Sequence, residues 1–275
     1  MSDDSTPTAR RFLLASDFDQ TLSFNDSGSV LAELLGIHGY EAKVEGLARS
    51  SLVQQGGELA YLIRHDPEFR GVRREHLAEA GRRVRLKGEI PALVGFLERG
   101  FSDARFDFYV ISAAPRDVVE SALAGIVPPD HIIATEFDFD PQSGEVRAVR
   151  RVAAGYGKVA AVDELARTLG IPLERVIYVG DGSSDVHVML HVNNHDGLTI
   201  AVSENRMLAR IAKRTVLSES AFPVLIPVLE QVFQWTPGAI RALFEANGFT
   251  LSDWERERTD RVTVIGGGEA GRAAA

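Results

Sequence analysis

Asp17 and Asp19 stand one residue apart in the stretch DFDQT, directly after the apolar run Phe12, Leu13 and Leu14. Burying one carboxylate is costly and two held close together repel, so a pair at the end of a buried strand needs a reason. Three later stretches carry comparable groups. Ser112 and Ala113 follow the run YVI, just ahead of a helix opening at Pro115. Lys158 follows the glycine-containing bend AGYG, and GDGSSD sets Asp181, Ser183, Ser184 and Asp185 in a loop flexed by glycine. Each stretch alone has an ordinary structural reading. The aspartate pair suits a turn or a cap, the serine an N-cap, and the lysine a surface position. The GDGSSD loop suits either a tight turn or a hard cation. Their order along the chain, at the ends of apolar runs and at the head of a helix, argues for a common purpose.

The chemistry that needs this set can be stated. Three carboxylates meeting at one point become tolerable when a divalent cation such as Mg2+ neutralises them. A cation bound by so few protein groups keeps coordination positions open for a phosphate oxygen. The serine hydroxyl and the N–H groups after it, at the start of a helix, form an anion site, and a lysine pairs with the remaining charge. Such a site fits a phosphoryl group under in-line attack, where catalysis is mostly positioning and electrostatic stabilisation. The attacking group can be a carboxylate, which gives an aspartyl-phosphate.

The elements that would position these residues alternate. Strands are expected at Phe12–Ser16 and over 106–112, 131–135, 175–180 and 198–202, with helices from Pro91, from Pro115 and from Lys158 to a C-cap at Gly170. That alternation implies an α/β fold with a doubly wound parallel, Rossmann-like sheet, whose strands present their C-terminal ends to one side. Residues 136–149 read as a hairpin around Gly144. Residues 24–89 hold only helical pieces, such as SVLAELLG and GELAYLIRH, and are expected to form a small helical cap inserted after the first strand, over the ligand-binding edge. The core domain would then comprise 11–23 and 90–232, with a C-terminal helical extension over 233–265 and flexible termini at 1–10 and 266–275.

At these residues the chain resembles the haloacid dehalogenase superfamily, whose first motif is Asp-x-Asp-x-Thr/Val. DFDQT, Ser112, Lys158 and GDGSSD look like its four motifs in order, over roughly residues 12–230, and most resemble the phosphoserine-phosphatase-like branch. The resemblance implies a Mg2+-dependent phosphatase acting on a small phosphorylated metabolite through an aspartyl-phosphate. Asp17 would be the nucleophile and a metal ligand. Asp19 would be the general acid and then the base, with its backbone carbonyl on the metal, and Asp181 the third protein ligand. Ser112, the Ala113 N–H, Lys158 and Ser184 would hold the phosphoryl group, with Asp185 and Thr21 in support. A phosphomutase or phosphotransferase, or a non-catalytic sensor of a phosphorylated ligand, are the alternatives.

The departures concern substrate. Phosphoserine phosphatases carry a glutamate nine residues past the nucleophile that grips the amino group, and here that position is Asp26. They carry Gly where this chain has Ala113 and Asn where it has Ser184, and they use a lid arginine, a role for which Arg64 is the candidate. These exchanges weigh against phosphoserine itself, since altered polar contacts change specificity by orders of magnitude.

The rest of the sequence sets bounds. With 275 residues, 45% hydrophobic and 25% charged, the chain has an ordinary soluble composition. It has no cysteine, which excludes disulfides and thiolate metal sites. A formal charge of −9 argues against a nucleic-acid binder, and no apolar run suits a membrane span or a secretory signal, so a cytoplasmic location is expected. A homodimer is left open. His187, His191 and His195 recur every four residues, but Asn193, Asn194 and Gly197 suggest that the helix is ending, which favours a helix-end or surface role over a metal row. The apolar stretch SAFPVLIPVLEQVF reads as packing, and the basic clusters RGVRRE and RRVRLK as solvated helix faces.

Overall fold

The structure, a computed structural model, describes residues 9–50, 52–101, 103–249 and 251. Of the flexible leader expected over 1–10, residues 1–8 lie outside the described residues, as do the C-terminal extension from 252 and the tail, but Arg10 already belongs to the first strand and pairs with Asp103 at 2.8 Å. In chain order, β1 (Arg10–Ser16) is followed by four helices: α1 (Ser27–Leu35), α2 (Tyr40–Ser50), α3 (Glu58–His65) and α4 (Arg74–Arg83). Then come α5 (Ile90–Arg99), β2 (Ala104–Pro115), α6 (Arg116–Ala122), β3 (Ile132–Phe139), β4 (Val146–Arg151) and α7 (Tyr156–Leu169). The chain continues with β5 (Val176–Gly180), α8 (Val186–Asn194), β6 (Leu198–Ala201), α9 (Leu208–Ile211), β7 (Arg214–Thr215) and α10 (Leu225–Gln231), and last α11 (Pro237–Ala246).

The strands form one seven-stranded sheet in the order β4-β3-β2-β1-β5-β6-β7. All neighbours run parallel except β3 and β4, which form the expected hairpin. Its turn is shaped by Asp140, whose Oδ1 accepts from the N–H groups of Gln142 and Ser143 at 2.9 Å each. The connections leave β1 in opposite directions, toward β2 first and later toward β5. This makes the C-terminal end of β1 the topological switch point where such sheets bind ligands.

β1 is central because both of its faces are covered. Phe12, Leu13, Leu14 and Ala15 are all buried, and each of the larger side chains contributes about 1.5–3 kcal/mol on leaving water. Leu13 and Ala15 join a cluster with Ala161, Val162 and Leu165 of α7 and Val188 and Met189 of α8. Phe12 stacks on Phe106 of β2 at 5.5 Å, within an aromatic group that includes Phe101 and Phe233. The strand expected at 106–112 extends to Pro115, and the one expected from 175 begins at Val176 because Leu173–Arg175 makes a 3-10 turn. The proline-containing stretch becomes a 3-10 turn followed by α10, with Leu225, Val228 and Leu229 fully buried.

The four helices of the insert leave and rejoin the sheet by adjacent passages. The Phe24 N–H donates to Arg85 O and the Lys87 N–H to Leu22 O, both at 2.8 Å, and Ser23 bridges Leu86. The insert is also fastened elsewhere. α4 packs against α6, with Ser121 Oγ donating to Ala78 O at 2.7 Å and Arg74 paired with Asp117 at 3.1 Å. The Val146 N–H of β4 donates to Val72 O at 3.0 Å. Insert and sheet belong to one compact unit that ends at Phe233, and a second unit begins at Gln234. In that second unit α11 is capped by Thr236, whose Oγ1 accepts from the Ala239 N–H at 3.3 Å. Among the described residues no helix is long and apolar enough to cross a membrane.

Candidate active site

Asp17 emerges at the buried end of β1 and is fixed from three sides. Its N–H continues the sheet to Val179 O at 2.8 Å, its Oδ1 accepts from the Phe18 N–H at 2.7 Å, and its Oδ2 lies 2.8 Å from Lys158 Nζ. Phe18 is fully buried and anchors the turn: its carbonyl accepts from the N–H groups of Thr21, Leu22 and Ser23. That turn aims the Thr21 hydroxyl at Asp181 Oδ1, 3.2 Å away. Lys158 is fully buried in the first turn of α7, and its ammonium bridges Asp17 and Asp185 Oδ1, the latter at 2.6 Å. The preceding Gly157 lets α7 start there, because a Cβ on it would meet Val152 O at 2.2 Å.

One carboxylate oxygen from each of Asp17, Asp181 and Asp185 lies within 4.8 Å of the others. The three are not equivalent. Asp185 accepts four hydrogen bonds: from Lys158, from the Tyr178 hydroxyl at 2.7 Å, and from the N–H groups of Asp181 and Gly182 at 3.1 Å each. Four partners fill a carboxylate's acceptor sites, so Asp185 holds the loop and the lysine rather than a ligand. Asp181 keeps Oδ2 without a partner among the described residues.

Electrostatics mark the same place. Burial first, then Asp185 and Asp181, push Asp17 up to about 8, against the opposing pull of Lys158. Burial and Asp185 raise Asp181 to about 7, against Lys158, Thr21 and Lys87. Burial alone would lower Lys158, but Asp17 and Asp185 outweigh it and raise the ammonium above its ordinary value. One lysine among two buried carboxylates and one half-buried one leaves excess negative charge on hard oxygen donors, which is the donor set of Mg2+ and similar cations. The residues present fit such an ion.

Asp19 points away from Asp17's partners, toward the insert. Its Oδ1 accepts from the Ser27 N–H at 3.0 Å and its Oδ2 from the Ser27 hydroxyl at 2.7 Å, at the first turn of α1. Burial and Asp26 hold its carboxyl well above the usual range, with Ser27 working the other way. Asp26 is the N-cap of α1, its Oδ1 accepting from the Ser29 N–H at 2.9 Å. Across the sheet, the β2–β3 register shifts between Ile111 and Pro115, which takes Ser112 and Ala113 out of the ladder. Ser112 Oγ accepts from the Ala114 N–H at 3.1 Å, and Ala113 O accepts from the Thr135 hydroxyl at 2.7 Å. The insert closes over these groups. A Cβ on Gly56 would lie 2.8 Å from that of Ser184 and 3.4 Å from that of Ala113, and Gln54 Nε2 donates to Ala154 O at 2.8 Å.

Other sequence candidates stand apart. Arg64 is exposed on α3. The exposed Arg82 and Arg83 both pair with Glu79. α8 ends at Asn194, before His195; His191 Nε2 donates to Asp163 Oδ1 at 2.7 Å and His195 Nδ1 to His191 O at 2.9 Å, so the histidines form no metal row. Sequence reasoning missed Tyr178, hidden in an apolar strand, and Ser27. It also missed Lys87, the last residue of a basic cluster, which is half-buried in the field of Asp181 and has no carboxylate partner among the described residues.

A family profile described as haloacid dehalogenase-like hydrolase matches residues 14–190, more than half of the chain. Among curated proteins none matches. Several solved structures share the fold. A substrate-bound phosphoserine phosphatase complex superposes with TM-score 0.63 at 20% identity, covering 79% of this chain and 98% of that one. A phospho-aspartyl intermediate analogue of phosphoserine phosphatase gives TM-score 0.60 at 21% identity, covering 79% and 98%. A HAD family hydrolase from Salmonella enterica subsp. enterica serovar Typhi gives 0.67 at 16% identity, covering 82% and 73%.

Proposed function

The chain belongs to the haloacid dehalogenase-like hydrolases, and on that premise we propose that it is a Mg2+-dependent phosphatase of a small phosphorylated metabolite, working in the cytoplasm. The reading is carried by one arrangement: the Asp17 carboxylate, pinned by Lys158 and the Phe18 N–H beside Asp181 at the switch point of the sheet. Mg2+ held by Asp17, Asp181 and the Asp19 carbonyl would neutralise the crowded acids and withdraw charge from the phosphoryl oxygens.

An Asp17 carboxylate oxygen attacks phosphorus, and the bond from phosphorus to the ester oxygen breaks. Asp19, whose carboxyl burial and Asp26 raise above its ordinary value, gives its proton to the leaving alkoxide. The resulting Asp19 carboxylate then removes a proton from water, whose oxygen attacks the phosphoaspartate and releases phosphate and Asp17. Ser112, the Ala113 N–H, Ser184 and Lys158 hold the transferring group, while Asp185 and Thr21 hold Lys158 and Asp181 in place.

Release of inorganic phosphate from p-nitrophenyl phosphate tests this. Turnover is expected with MgCl2, none with EDTA and none in Asp17→Asn, and a fall of about 10²–10⁴-fold is expected in Asp19→Asn. Normal turnover in Asp17→Asn would remove the nucleophile from the scheme.

A further inference from the structure

Tyr40, the first residue of α2, is 7% exposed, yet its hydroxyl makes no hydrogen bond to any described residue. The one fully sealed side-chain nitrogen or oxygen without a partner among the described residues is His187 Nδ1, so the Tyr40 oxygen keeps an opening. It lies against Gly28 of α1. A Cβ there would sit 1.9 Å from the Tyr40 oxygen and 3.1 Å from Asp26 Oδ1, so only glycine admits the phenol. Burial first, then the carboxylates of Asp26, Asp19, Glu58 and Glu41, raise the phenol well above its ordinary value.

Glu58 is the most enclosed of the insert's acids. It is 7% exposed at the start of α3, and its Oε2 accepts from the Gly56 N–H at 2.7 Å, where Gly56 overlies Ser184 and Ala113. Its Oε1 has no partner among the described residues. No Lys, Arg or His there pairs with Glu58, Asp26 or Asp19. An enclosed carboxylate without a cation, held by Gly56 where that residue overlies Ser184 and Ala113, and an enclosed hydroxyl without a partner, set against Gly28 beside Asp26, call for a cationic ligand group.

We propose that Glu58 and Tyr40 receive an ammonium group on the leaving alcohol, so that the substrate is the phosphate monoester of an amino alcohol carrying no carboxylate. This rests on the phosphatase reading and specifies its substrate class. An ammonium offers N–H donors to Glu58 Oε1 and the Tyr40 oxygen, with Asp26 adding charge. Asp26 caps α1 through its Oδ1, which accepts from the Ser29 N–H and hydroxyl, and it is more exposed than Glu58, so it adds charge beside the grip. A substrate carboxylate would meet the same acids with repulsion, and Arg64 is turned to solvent.

The test compares kcat/KM, in the full chain with MgCl2, for O-phosphoethanolamine, for the uncharged 2-hydroxyethyl phosphate and for O-phosphoserine. Phosphoethanolamine is expected to exceed hydroxyethyl phosphate by about 10²-fold and to exceed phosphoserine as well. In Glu58→Gln the first ratio is expected to fall to within about threefold of unity. Should that variant unfold in a thermal melt, the same ratio is read in Tyr40→Phe, where a fall of at least about threefold is expected. A native ratio near one, a preference for phosphoserine, or a ratio that survives both substitutions overturns the inference. If p-nitrophenyl phosphate is turned over meanwhile, the phosphatase reading stands and only the substrate class falls; if no ester is turned over, both fall.

Discussion

Asp185 serves the site by having no free acceptor left. Replacing it with Asn keeps the shape but turns two acceptor positions into donors, and whichever way the amide turns it faces two groups that also donate. Asp185→Asn should therefore cost about 3 kcal/mol in urea unfolding and remove most turnover; unchanged stability would show that the four bonds contribute little. At this scale the sequence was legible where chemistry sits at short, regular spacing. Asp17, Asp19 and Asp181 could be singled out because charged groups interrupt apolar runs. Tyr178 could not, since its hydroxyl hides inside the run that buries its ring. Glu58 and Tyr40 could not either, because nothing local in the sequence marks a glutamate or a tyrosine of the insert as enclosed and short of partners.

Elements carry these residues to each other, and the start of α7 is the most constrained of them. Gly157→Ala would push a methyl group into Val152 O, so the helix start must shift and take Lys158 with it. The expected result is a loss of about 1–3 kcal/mol, with kcat/KM for p-nitrophenyl phosphate lowered at least about tenfold; a variant with native kinetics would show that the bend absorbs the methyl. Strand and helix identities were readable from periodicity and caps, as for β1 and for α7 ending at Gly170. Two features escaped. β7 is two residues long and leaves no periodic signal, and the register shift after Ile111 depends on the neighbouring strand.

The whole molecule stores unfavourable charge at one edge of its sheet. Asp17 at about 8 and Asp181 at about 7 hold protons more tightly folded than unfolded, where 3.8 is the ordinary value. Their contribution to stability is complete below the unfolded value and is lost as pH rises through 7 to 8. Mg2+ competes with those protons, so the rise in melting temperature on adding MgCl2 should be larger at pH 8.5 than at pH 5.5, measured against EDTA. An increment independent of pH would contradict the assignment of these two carboxylates to the ion. The alternation of strands and helices made the sheet's topology and the helical nature of the insert accessible from sequence. How the insert docks was not, because helical periodicity names a buried face but not what covers it.

The fastening of α4 to α6 and of Val72 to Val146 bears on how substrate and product travel. With α4 anchored to α6 and Val72 to Val146, passage falls to the stretch around Gly56, which overlies Ser184 and Ala113 and which Gln54 latches onto Ala154. The chain carries no native thiol, so introduced cysteines would be the sole targets for a short bis-alkylating linker. Joining Ala78→Cys to Ser121→Cys should leave traffic and turnover intact, whereas joining Gln54→Cys to Ala154→Cys should shut the enzyme. If the first tether stops it instead, the anchored side is the one that swings.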